Sequence, residues 1–118
     1  MTNKWIDDAR KYLLRYDFFR RKLENLETLK AVFNHKASEE EIITMHSYVN
    51  LIESTLKQLQ KDERQLLIEF FVKKKHRSEF NYSTTSFYRA LKKACANFFQ
   101  TLGIYFFSNN DKHNYISN

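Results

Sequence analysis

The chain has 118 residues, 42% of them hydrophobic, enough for one domain with a thin core. Proline is absent and Gly103 and Cys95 are single, which excludes a hairpin-rich β fold, an intramolecular disulfide and a multi-cysteine metal cluster, and points to an all-α protein in a reducing compartment. The net charge of +6 is concentrated: residues 1–60 hold ten Lys or Arg against nine acids, whereas Arg64 to Lys93 holds eight against Glu69 and Glu79.

Trp5, Ala9, Tyr12, Tyr16, Phe19, Leu23, Leu26 and, after Lys30, Phe33 step by alternating four and three. That heptad seam predicts a first helix over about residues 3–35. Asn34 and His35 end it, and Ser38-Glu39-Glu40-Glu41 supplies a capping box with acidic charge at a positive helix end. A second helix then runs to about Gln60 with the stripe Ile42, Met45, Val49, Ile52, Leu56 and Leu59. The two predicted helices form a long antiparallel hairpin. Asp62 is placed to cap a third helix buried through Leu66, Leu67, Phe70, Phe71 and Val72. The run Lys73-Lys74-Lys75-His76-Arg77 follows, where cations either offset the helix dipole or meet phosphate.

The fourth predicted helix, Ser83 to Leu102, ends at Gly103 as a left-handed cap. Its buried stripe is Phe87, Ala90, Leu91, Ala94, Phe98 and Leu102, leaving Arg89, Lys92 and Lys93 on the other side. Ser83, Thr84, Thr85 and Ser86 open it, and a helix start presents unpaired N–H groups that a hydroxyl or a phosphate can satisfy. Ile104 to Phe107 is apolar enough to dock back on the bundle, and Ser108 to Asn118 reads as a polar tail.

A local positive field of this kind favours a polyanion, the alternative being a solvated face. No HExxH, cysteine pair or glycine-rich phosphate loop is present, and His35, His46, His76 and His113 are scattered. The sequence therefore predicts a non-enzyme with no cofactor or metal. No run approaches eighteen apolar residues and the N-terminus is too acidic for a signal peptide, so a cytoplasmic protein without a membrane partner is expected.

Leu56-Lys57-Gln58-Leu59, Asp62-Glu63-Arg64-Gln65-Leu66-Leu67, Tyr82-Ser83, Phe87-Tyr88-Arg89, Lys92-Lys93-Ala94, Phe98 and Leu102-Gly103-Ile104 together resemble the ArpU and RinA type of phage transcriptional regulator. Those proteins are sigma-70 region 4-like. The likeness covers about residues 51–104, and short mollicute proteins of uncharacterised role carry similar stretches. It implies a helix-turn-helix-like half over 61–104, joined to the hairpin of 1–60 and followed by a tail over 105–118. It further implies double-stranded DNA as partner, with RNA polymerase as a second one. The implied DNA contacts are Ser83, Thr84, Thr85, Ser86, Tyr88, Arg89, Lys92 and Lys93, together with Lys73, Lys74, Lys75 and Arg77. One departure is visible: only about Lys73 to Tyr82 separates the last two helices, too little for a full support helix. One distorted turn around Ser78 to Asn81, or the basic turn itself, has to stand in for it.

Aromatic residues make up 16% of the chain. Trp5, Tyr12, Tyr16, Phe18, Phe19 and Phe33 either fill a thin core or form a surface for self-association. Three readings follow: a sigma-like DNA-binding transcriptional regulator; a helical interaction module, dimer or adaptor; and a small RNA-binding protein.

Overall fold

The computed structural model describes residues 3–104; Tyr105 to Phe107 and the tail lie outside them. It is all-α, with no strand among the described residues. Helix α1 spans Lys4–Glu24, α2 Leu26–Phe33, α3 Glu39–Gln58, α4 Lys61–Leu67 and α5 Thr84–Leu102. A π-turn, Ile68–Val72, continues α4, and one 3₁₀ turn, Arg77–Glu79, precedes α5.

The local cap chemistry is largely that expected. Asn3 Oδ1 accepts from the N–H groups of Trp5 (2.9 Å) and Ile6 (3.2 Å) to start α1. Ser38 Oγ accepts from Glu41 N–H at 3.1 Å and Ser83 Oγ from Ser86 N–H at 3.2 Å. Each satisfies one orphan donor of a first turn. Gly103 sits at φ 90°, and the Ile104 N–H reaches back to the Phe99 carbonyl at 3.2 Å, closing α5.

Three expectations are corrected. The single helix over 3–35 is broken at Asn25 (φ −107°, ψ 11°), which ends α1 and starts α2. The seam is buried only as far as Leu23: α2 has no buried residue and Phe33 is 71% exposed. Seam residues beyond the break leave the core because α2 is not packed against a neighbour that would cover them. The third helix is capped at Gln60, not Asp62, whose Oδ1 instead accepts from Glu63 N–H inside the first turn. Its end is a π-turn, with Lys73 N–H donating to the Ile68 carbonyl at 2.9 Å.

The core is built around α5, which touches α1, α3 and α4. Phe87, Leu91, Ala94, Cys95, Ala96, Phe98 and Phe99 are all buried there. Ile6, Ala9, Leu13 and Tyr16 of α1, and Val49, Ile52 and Leu56 of α3, complete the cluster with Leu66, Leu67 and Phe71. Ile6 and Leu13 are outside the heptad seam; they are buried because α1 meets α5 and the π-turn as well as α3.

Most polar groups packed into this core find partners, although the Gln100 Oε1 is buried without one. Tyr16 donates to Glu53 at 3.1 Å and Tyr48 to the Tyr12 carbonyl at 2.7 Å, pinning α3 to α1. Burial, with Glu53 adding to it for Tyr16, pushes both phenols up to about 12. Asp17 is held by Arg20 (2.8 Å) and Arg21 (3.1 Å), and Asn97 donates to Glu63, tying α5 to α4. Burial pushes the Cys95 thiol up as well. No helix among the described residues is long and apolar enough to cross a membrane.

Phe98, fully buried, and Phe33, exposed, make a paired test of this core assignment. Phe98→Ala is expected to cost about 3–5 kcal/mol in urea unfolding, and Phe33→Ala to stay within about 0.5 kcal/mol. A large loss for Phe33→Ala would show that α2 is covered in solution.

Candidate nucleic-acid interface

The segment between α4 and α5 is shaped by two hydrogen-bonded ends. At its start Lys74 adopts the left-handed conformation, φ 57°, while Lys75 N–H bonds the Glu69 carbonyl at 3.0 Å. A non-glycine residue there carries a cost of about 1–3 kcal/mol, met by the surrounding structure. Further on, His76 caps the 3₁₀ turn: its Nδ1 accepts from Ser78 N–H at 3.1 Å, and its own N–H donates to Glu79 at 2.7 Å. This single turn spans Arg77–Glu79, one residue earlier than the turn expected around Ser78 to Asn81.

Aromatic packing fixes the turn against α5. Phe87, on the first turn of α5, lies 5.1 Å from Phe70 of the π-turn and 5.2 Å from Phe80, centroid to centroid. Tyr82 (6.4 Å) and Tyr88 (5.2 Å) complete the group. Arg77 Nη1 then donates to Thr84 Oγ1 at 2.7 Å, joining the basic turn directly to the helix start. The partner is neutral, so the guanidinium charge is not cancelled.

The expected contact residues fall into two groups. Thr85, Arg89 and Lys92 follow helical spacing on the side of α5 opposite the Phe87–Leu91–Ala94–Phe98 stripe, with Ser86 and Lys93 beside them. Thr85, Ser86, Arg89 and Lys93 are exposed and Lys92 half-buried. Ser83 is occupied as the cap, although its side chain is exposed. The second group, Lys74, Lys75, Arg77 and Tyr88, lines a cleft of about 470 Å³. Lys73 is exposed just before it and does not line it.

The cleft also takes residues outside the expected contact set. Arg10 and Leu14 come from α1, Phe70 and Phe71 from the π-turn, and His76 from the basic run. The Arg10 guanidinium sits 5.5 Å over the Phe71 ring and 3.3 Å from Asp7. Only the approach of α1 to the π-turn brings it here.

Electrostatically the cations are not equivalent. Lys75 bonds Glu69 at 2.9 Å and lies 5.7 Å over the Phe80 ring. That hydrogen bond, more than charge alone, holds the Glu69 carboxyl below its usual range and raises Lys75. Lys74, Arg77, Arg89, Lys92 and Lys93 have no carboxylate partner among the described residues. The same residues contain no group of His, Cys, Asp and Glu that could hold a metal ion.

No family model matches the chain, and no solved structure matches it. It is similar to the uncharacterized MG284 homolog of Mycoplasma pneumoniae, 36% identical over 62 residues, or 52% of this chain and 51% of that protein. The chain thus spans about half the length of that relative.

The Glu69–Lys75 pair has a checkable pH signature. A carboxyl lowered in the folded state contributes stability above its unfolded value and loses it as pH falls through the folded one. In Lys75→Ala the Glu69 titration midpoint, followed by NMR, is expected to rise toward the ordinary carboxylate range. An unchanged midpoint would mean that the pair does not form in solution.

Proposed function

We propose that the protein is a DNA-binding transcriptional regulator of sigma-like type, holding duplex DNA with the exposed side of α5 and the basic turn before it. The observation that carries this reading is the Arg77–Thr84 bond. It joins the basic turn to the helix start, and Lys74, Arg77, Arg89, Lys92 and Lys93 lack carboxylate partners among the described residues, Lys75 alone being paired with Glu69. Such a surface neutralises phosphates and releases counterions, while Arg89 and Lys92 on a helix face are placed to reach groove edges. The likeness to ArpU and RinA regulators supports the same assignment, with RNA polymerase as the further partner. The single 3₁₀ turn at Arg77–Glu79 departs from the region 4-like pattern, so docking rests on α5 and the turn without a support helix.

A second reading attaches to exposed apolar side chains of the first three helices. Val32 and Phe33 on α2 and Ile43 on α3 are exposed, as is Phe18 on α1. Large apolar side chains left in water on neighbouring elements fit a protein-binding surface, for a second copy or an adaptor role.

Fluorescence anisotropy on duplex DNA tests the first reading. The affinity is expected to fall with salt at about 0.9 log units per neutralised phosphate for each log unit of salt. Replacing Arg89 and Lys92 by Ala should cost roughly 1–3 kcal/mol of binding for a base-reading Arg, with the melting temperature nearly unchanged. Lys11→Ala with Lys57→Ala removes the same charge elsewhere and should cost much less. Equal losses in the two sets, or no duplex binding by folded protein at low salt, would overturn the assignment; tighter binding to single strands would favour RNA.

A further inference from the structure

The cleft beside the α5 surface has the size and chemistry of a different ligand. Its volume of about 470 Å³ lies within the roughly 300–1,000 Å³ of small-molecule sites. Its lining is of two kinds. Lys74 and Arg77 bring cations without a carboxylate partner among the described residues, and Arg10 adds a third that is shared with Asp7. Tyr88, 41% exposed, and Phe70 bring aromatic rings to the same cavity. The π-turn contributes here by directing the adjacent Phe70 and Phe71 into one lining, a use to which such turns are often put at functional sites. Lys74 holds a backbone conformation that glycine or asparagine would adopt at lower cost.

We propose that this cleft binds a single nucleotide, with its phosphate on Lys74, Arg77 and Arg10 and its base against Tyr88 and Phe70. Cations lining one cleft recognise a phosphate through charge-assisted hydrogen bonds, and an aromatic surface accepts any base face. The ligand chemistry is that of a nucleoside 5′-monophosphate, either free or at the end of a strand. The cleft shares Lys74, Arg77 and Tyr88 with the proposed duplex surface, on which this reading rests, whereas Arg89, Lys92 and Lys93 do not line it.

Calorimetry on the full chain tests this with AMP, adenosine, inorganic phosphate, phenyl phosphate, and a tetranucleotide with and without a 5′-phosphate. Lys74→Gly and Tyr88→Leu are the variants, since glycine suits the left-handed turn and Tyr88 is exposed, and Lys11→Ala is the control. AMP is expected to bind and adenosine to lose most of the affinity. Lys74→Gly should weaken AMP about tenfold or more, as loss of a hydrogen bond to a charged group does. Tyr88→Leu should weaken AMP while leaving inorganic phosphate unchanged. A phosphorylated tetranucleotide tighter than AMP identifies a strand end as the source, and equal affinities identify the free nucleotide. The proposal is overturned if neither AMP nor the phosphorylated tetranucleotide gives heat at millimolar concentration. Phenyl phosphate binding as tightly as AMP, or an equal loss in Lys11→Ala, would overturn it too.

Discussion

The burial of Phe87 is the contact on which the arrangement of the basic surface depends. This ring is on the first turn of α5, fully out of water, with Phe70, Phe80, Tyr82 and Tyr88 around it at 5.1 to 6.4 Å. Each such aromatic pair is worth roughly 0.5–1.5 kcal/mol beyond the area it buries. The pairs come from the π-turn, the bend that follows the 3₁₀ turn, and α5, so they set where the chain between Lys73 and Ser83 can run. With no proline or glycine in that stretch to stiffen or relax it, side-chain packing does what turn residues do elsewhere. The Arg77–Thr84 bond then sits on a position already chosen by the rings.

Helix α5 has two different jobs along its length. Its second half is enclosed, with Phe99 against Trp5 at 5.6 Å and Tyr12 at 5.8 Å and with Phe98 fully buried. Its first half is packed on one side only, and the other side carries Arg89 and Lys93 into solvent. A helix anchored at its far end can hold charged residues in fixed positions without using them for packing, which suits rigid presentation to a polyanion. The same anchoring brings α1 close, and through α1 the cleft gains Arg10.

What could be read from the sequence was whatever is decided within three or four residues. Ser38 and Ser83 as caps and Gly103 as a stop depend on one side chain and the nearest backbone groups, and they are found as expected. The seam from Trp5 to Leu23 follows a helical period, and it is wholly or partly buried. The break at Asn25 was hidden because Leu26 continues the same period across it; periodicity tells which residues share a face, not whether a neighbour arrives to cover it. Ile6 and Leu13 were missed for the complementary reason, since α5 and the π-turn meet α1 besides the hairpin partner. Lys74, Lys75, Arg77 and Tyr88 prove to share one cleft, whereas Arg89, Lys92 and Lys93 lie outside it. Arg10, more than sixty positions from Lys74 in the chain, has no sequence signal at all, and the Lys75–Glu69 pair becomes possible only through the π-turn.

The burial of Cys95 gives the molecule a built-in gauge. Its thiol is enclosed in the middle of α5, and burial holds it in the protonated, unreactive form. As the chain's one sulfhydryl, it can be alkylated only when the central helix parts from its neighbours. The rate of labelling therefore clocks the opening of the whole bundle and is blind to fraying at α2 or to motion of the basic turn.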